Sequence, residues 1–326
     1  MKKILMSILV LGVAFVMLGS GTFSYFSDTE SATDNTFTAG TIDIQIGEND
    51  PWTGSFQLEE AKPCQTRYID FDITNVGMNP CVIWKHVKIT AEEDNLQSEP
   101  EQDADGYNIN NIGNWILYDL VVDGEVIFCD EDGLTLRDIH CMWMPLGTLE
   151  PFGEEGDTMH VTQSYHLKPE TGNEYQGDKV TFDISLFAQQ RLGDGPQQKE
   201  GSKKLFLDDK SGEPDWYFIA DDRWAILDWT DGADSASLYL HGMNSDTTYR
   251  LITYTEPWPG TPATKIVDVT TDTNGYYYSD SVNIGGIGTY SGKIWLVLSD
   301  DHDQGDNKMS AWNPTEYLFE SNLVTI

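Results

Sequence analysis

Positive charge is scarce in this chain. Lys and Arg number 19 against 54 Asp and Glu, a formal net charge of −35. That balance argues against nucleic-acid binding, because a phosphate backbone needs Lys and Arg to displace its counterions. It argues equally against docking on an anionic lipid surface. It fits a surface bathed in salt or divalent cations, or one kept soluble at high density. Helical periodicity is also nearly missing, and the signatures HExxH, GxSxG and CxxC do not occur. The histidines are few and dispersed. His160 and His166, in "MHVTQSYH", share a face of an extended strand but stand roughly 20 Å apart, too far to share one metal ion. They read as solvated strand residues, no residue is assigned a catalytic role, and the chain is read as a non-enzyme.

Cysteine is sparse and confined to the first half: Cys64, Cys81, Cys129 and Cys141. In an exported chain an even count favours disulfides, with three connectivities open. Cys64–Cys81 and Cys129–Cys141 are favoured because each pair flanks a predicted hairpin. Long apolar runs are confined to residues 4–18, "ILMSILVLGVAFVML", behind the basic pair Lys2 and Lys3. This is the length of a secretory signal core and short for a membrane span of about 20 residues. Small residues follow, with cleavage points after Gly21 and after Ser24. Residues 1–24 are therefore read as a signal peptide and the mature chain as secreted, without a stable membrane anchor.

What is abundant is period-two alternation, cut by Gly, Asn, Asp and Pro. "TIDIQI" (41–46), "RYIDFDITNVG" (67–77), "CVIWKHVKIT" (81–90), "WILYDLVVDGEVIF" (115–128) and "KVTFDISLFAQQ" (179–190) all read as strands. Asp123-Gly124 marks a hairpin. The stretch 91–97 is the one place that could form a short helix. A polar segment at 191–204 reads as a linker. Beyond it, residues 205–326 form a second strand-rich unit holding six of the ten tryptophans, Trp216, Trp224, Trp229, Trp258, Trp295 and Trp312, and none of the cysteines. The fold class expected is all-β: a sandwich over 41–190, then a second, Trp-rich sandwich over 205–326.

Acidic loops are the candidates for ligand chemistry. Asp301, Asp303 and Asp306 surround Gly305 in "SDDHDQGDNK", a spacing suited to a hard cation such as Ca²⁺. The loop lacks the full EF-hand pattern, and a solvated acidic turn is the simpler reading. Asn274-Gly275 is more simply a hairpin turn than a calcium loop, and "CDEDG" (129–133) is a turn on the same grounds. Tyr276, Tyr277 and Tyr278 could form a carbohydrate-stacking platform. Alternation sends the middle ring to the opposite face, so half-buried strand packing is favoured.

Three segments read together carry a resemblance. They are "GTFSYFSDTESATDNTFTAGTIDI" at the start, "RYIDFDITNVGMNPCVIWKHVKI" in the middle and "NEYQGDKVTFDISLFAQQ" at the close. Gly21, Thr22, Phe26 and Asp28, then Thr36, Phe37, Gly40, Thr41, Ile42 and Asp43, then Asn173, Tyr175, Gln176, Gly177, Val180, Phe182, Ala188 and Gln190 match the TasA/camelysin family of exported biofilm-matrix proteins. The resemblance covers about residues 21–190. The C-terminal part only resembles β-sandwich modules of archaeal surface proteins. The resemblance implies cleavage before Tyr25, a jelly-roll-like sandwich, and homopolymeric filaments in which the N-terminal segment of one subunit adds as a strand to the next. The donor segment is placed at 25–40, and the apolar positions assigned to strand donation are Tyr25, Phe26, Phe37, Ile42, Ile44 and Ile46. Of these, the TIDI strand is expected to stay in its own sheet while 25–37 reach out. Some relatives carry a metallopeptidase label; this sequence lacks a recognisable motif for it. The competing reading is a monomeric cell-surface module that binds carbohydrate or calcium through residues 205–326.

Overall fold

The computed structural model describes residues 27–31, 42–47, 65–94, 111–175, 177–190, 195–197, 203–212, 215–230, 232–285 and 290–325. Strands dominate, joined by turns and short 3₁₀ segments. The first half contributes β1 (Ser27–Ser31), β2 (Ile44–Ile46), β3 (Arg67–Asn75), β4 (Cys81–Glu93), β5 (Ile116–Val122), β6 (Glu125–Phe128), β7 (Trp143–Leu149), β8 (Thr158–Leu167) and β9 (Lys179–Gln190). They form two antiparallel sheets, β1-β9-β4-β7 and β2-β3-β8-β5-β6. Pairing of β3 with β8 and of β4 with β9 joins strands far apart in sequence, the winding of a sandwich rather than a chain of hairpins. Residues 91–93, read from sequence as the start of a short helix, extend β4 instead. Their pairing with 179–181 of β9, past a register shift after Ile89, overrides the weak helical preference.

The second half contributes β10 (Lys204–Asp208), β11 (Trp224–Trp229), β12 (Ser235–His241), β13 (Thr248–Tyr254), β14 (Lys265–Thr270), β15 (Tyr277–Asn283), β16 (Ser291–Leu298), and the two-residue strands β17 (His302–Asp303), β18 (Lys308–Met309), β19 (Phe319–Glu320) and β20 (Val324–Thr325). Its two main sheets run β15-β12-β11-β10-β19 and β14-β13-β16-β20. The chain is all-β, built of sandwiches, as its alternation dictates.

The apolar core continues past the polar segment at 191–204. Phe206, Trp224 and Ile226 belong to the same buried cluster as Phe128, Leu134 and Tyr118. Trp224 is fully buried, packs edge-on against Phe128 at 5.1 Å, and donates its indole N–H to the Ile127 carbonyl at 2.9 Å. A second contact lies on the face of β4 turned away from the first core. There Trp84 donates to the Ser321 carbonyl at 2.9 Å, and Val82, Trp84 and Trp143 enclose Phe218. Gly195 threads between the halves. A Cβ there would stand 2.5 Å from the Ser321 carbonyl oxygen, at a φ of +75° that itself favours glycine.

Candidate functional site

The first candidate is a sheet edge. β9 is paired on one side by β4 and on the other by β1, which lies antiparallel to it in the register Ser27↔Gln189 to Ser31↔Ser185. Apart from that five-residue pairing, β9 would end its sheet with an unpaired row of N–H and C=O groups, a template for strand addition. β9 itself alternates strictly, with Val180, Phe182, Ile184, Leu186 and Ala188 buried. Its hydrophobic face fixes the register and leaves the edge backbone as the variable partner surface.

The residues assigned to strand donation divide. Ile42, Ile44 and Ile46 are buried in the first core, and Ile44–Ile46 pair with Ile73–Asn75 of β3. They are resident, as expected of the TIDI strand, because period-two spacing puts all three on the sandwich face, and they therefore drop out of the donor set. Tyr25, Phe26 and Phe37 lie outside the described residues. Within the proposed donor segment the structure describes Ser27–Ser31, which sit on the β9 edge of their own chain.

The expected Cys129–Cys141 pair does not form. No disulfide joins Cys81, Cys129 and Cys141, and Cys64 lies outside the described residues. Cys129 follows β6 of one sheet and caps a 3₁₀ turn, Asp130–Asp132. Cys141 donates its backbone N–H to Val87 of the other sheet, and its Sγ faces His140. The two flank no common hairpin, which removes the reason for pairing them.

The acidic loop at 299–308 does not gather its carboxylates. Asp301 is buried and accepts from Tyr317 Oη at 2.6 Å and Asn313 Nδ2 at 2.8 Å. Asp303 accepts from the backbone of Gly305 and Asp306, and Asp306 pairs with Lys308 at 2.6 Å. The loop is a self-satisfied turn, and the calcium assignment to these three residues is corrected accordingly. His160 and His166 also stand apart: His160 Nδ1 lies 2.6 Å from Asp72, and His166 lies 3.7 Å from Asp119. Among the described residues, the group of His, Cys, Asp or Glu close enough to hold one ion is Asp208, Asp209 and Asp221, without a histidine.

The second candidate is a cleft of about 1120 Å³ where the halves meet. The 3₁₀ turn after β6 forms one wall, and the outer face of β11, β12 and β15 forms the other. His241 lines the cleft. Its Nε2 is 2.7 Å from Asp132 Oδ1, its Nδ1 is 2.6 Å from the Asp222 carbonyl, and its ring stacks on Trp224 at 4.9 Å. Burial opposes charge on this imidazole, but the hydrogen bonds to Asp132 and Asp222 outweigh it and raise its pKa. Burial pushes the Tyr239 phenol up to about 12, and it pushes the Cys129 thiol up as well, so neither is an anion at neutral pH. Tyr276 and Tyr278 are exposed into the cleft, while Tyr277 packs against the second core. The alternation read from sequence is correct, with two rings rather than three available to stack on a guest. Sequence reasoning missed this cleft, because Asp132 and His241 come from different halves.

The Asp132–His241 bond ties the halves together and makes stability pH-dependent. Because the folded pKa of His241 is raised, its contribution is full below the ordinary value of about 6.5 and is lost as pH rises through the folded value. The melting temperature of the wild-type chain is expected to fall across that interval. Asp132→Asn, which costs about 1.5–3 kcal/mol at acid pH, is expected to flatten the dependence. Parallel melts from pH 5.5 to 8.5 check this, and equal slopes in both proteins would contradict it.

The model of the camelysin metallo-endopeptidase family matches residues 1–124. The TasA/camelysin resemblance read from the sequence therefore holds over the N-terminal part of the chain, from the start through β5. No curated protein matches the chain.

Proposed function

We propose that this protein is an exported structural subunit of an extracellular matrix fibre, in which residues 25–37 of one subunit add as a strand to the β9 edge of the next. The family matched over residues 1–124 supports an exported, biofilm-matrix role in general terms. The observation that carries the finer reading is the β1–β9 pairing. A short strand next to the N-terminus, held at an edge by one ladder, can leave that edge and make the same hydrogen bonds to another copy. Exchange conserves the ladder, so its cost is confined to the tether. Because the strand leaves at one place and the edge accepts at another, the contact is head-to-tail and propagates into an open filament.

Polymerisation does not require a catalytic group. The matched family is named for endopeptidase activity, but the three aspartates gathered among the described residues lack the histidines of a zinc peptidase. The second sandwich packs against the first through Trp84 and Phe218 and through Trp224, and its remaining surfaces are available for display. Negative-stain microscopy of the processed chain tests the reading; filaments are expected, and a chain that stays monomeric at high concentration contradicts it.

A further inference from the structure

The end of β10 and the loop before β11 bring two acidic pairs together. β10 closes on Asp208 and is followed by Asp209, and the returning loop carries Asp221 and Asp222. Carboxylate oxygens of Asp208, Asp209 and Asp221 all lie within 4.8 Å of one another. Asp208 is 5% exposed and Asp209 is 3% exposed. The nearby cations are Lys210, whose charge acts on Asp208, and Arg223, whose Nη1 lies 3.2 Å from Asp209 Oδ2 and also donates to the Thr315 carbonyl at 2.9 Å. One guanidinium and one ammonium, the latter opposed by its own burial, do not balance three carboxylates, two of them out of water.

A separate observation points to a missing ligand. Asp209 Oδ1 is buried and has no hydrogen-bond partner among the described residues. Its other oxygen is committed to Arg223. Asp208 Oδ1 accepts the Asp209 N–H, and Asp221 Oδ1 accepts the Arg223 N–H. A buried carboxylate oxygen without a donor is costly, and folded proteins rarely retain one without water or an ion to satisfy it. Burial and the neighbouring carboxylates also push all three aspartates up, Asp209 to about 7.

We propose that Asp208, Asp209 and Asp221 bind a calcium ion. An all-oxygen donor set excludes the soft and borderline metals that select thiolate or imidazole. Calcium accepts irregular geometry and completes its shell with water, whereas magnesium demands a near-octahedral arrangement. The ion would join the end of β10 to the 220–223 loop. That loop presents the Asp222 carbonyl to His241 in the cleft, and Arg223 reaches the Thr315 carbonyl near the C-terminus. The site is thus a staple on the segments that frame the cleft, and it stands independently of strand donation.

Calcium titration of the processed full chain by calorimetry, in buffered sodium chloride to suppress diffuse binding, tests the assignment. One saturable site is expected, with a melting temperature that rises on adding calcium and falls with chelator. Asp209→Asn and the half-exposed Asp221→Asn are expected to weaken binding at least tenfold, and Asp303→Asn/Asp306→Asn is expected to bind as wild type. Wild-type affinity in both Asp209→Asn and Asp221→Asn, or no saturable calcium binding at all, overturns the site. Equal affinity for magnesium overturns the assignment to calcium.

Discussion

Removing residues 25–37 is expected to abolish filaments while leaving a folded, soluble monomer. The first core does not need this segment: Ile42, Ile44 and Ile46 anchor the chain in sheet β2-β3-β8-β5-β6, and the buried side chains of β9 face inward against that sheet. What the deletion removes is the five-residue ladder on the outer edge of β9. Lost edge pairing costs a marginal two-stranded contact rather than a core. The deleted protein should therefore keep its melting temperature within a few degrees and its circular dichroism, yet show no polymer in negative stain. Filaments formed by the deletion variant would sink strand donation.

Trp224→Ala is expected to cost about 3–5 kcal/mol, the range for emptying a fully buried aromatic site. Phe128, Phe206, Tyr239 and His241 all border the indole. The substitution also leaves the buried Ile127 carbonyl without its donor. Trp224→Phe separates the two effects: it keeps most of the volume and should cost only the hydrogen bond, about 1–3 kcal/mol. Because Trp224 lies in the core of the first half while its strand belongs to the second, the wild-type chain should unfold in one transition in urea. Trp224→Ala should shift that transition or split it in two. A wild-type chain that unfolds in two steps, with only the later half touched by Trp224→Ala, would show that the halves are energetically independent.

The strands were legible because period-two alternation is a local property. "KVTFDISLFAQQ" and "RYIDFDITN" announce one buried face and one open face, and β9 and β3 show that pattern. The joining of the halves was also written in the sequence, in a subtler form. "KLFLD" and "WAILDW" scarcely alternate, and β10 and β11 are buried on both faces, one by their own sandwich and one by the first half. The run "CVIWKHV" in β4 has the same cause. Read as ordinary half-exposed strands, these segments conceal the contact.

Sites assembled across long separations were not legible. Asp132 and His241 meet only because the turn after β6 docks on β12, and Asp208, Asp209 and Asp221 meet only because the chain doubles back between β10 and β11. Conversely, the dense acidic run at 299–308 looked like a cation loop and is a turn whose carboxylates satisfy its own backbone, Lys308 and the Tyr317 hydroxyl. Local charge density proved a poor guide because exposed carboxylates are well solvated. The buried ones are where an unbalanced charge has a consequence.

Strand exchange between subunits has a direct test in the register itself. Ser31 and Ser185 are partners across the β1–β9 ladder, and directly opposed residues on antiparallel strands lie within the range a disulfide spans. Chains carrying Ser31→Cys alone are mixed with chains carrying Ser185→Cys alone, and the mixture is assembled and then oxidised. Neither chain can form this bond within itself. Strand donation predicts a covalent heterodimer whose linked peptides contain positions 31 and 185. Absence of that product, together with efficient closure of the bond inside a chain carrying both substitutions, would show that β1 serves only its own subunit.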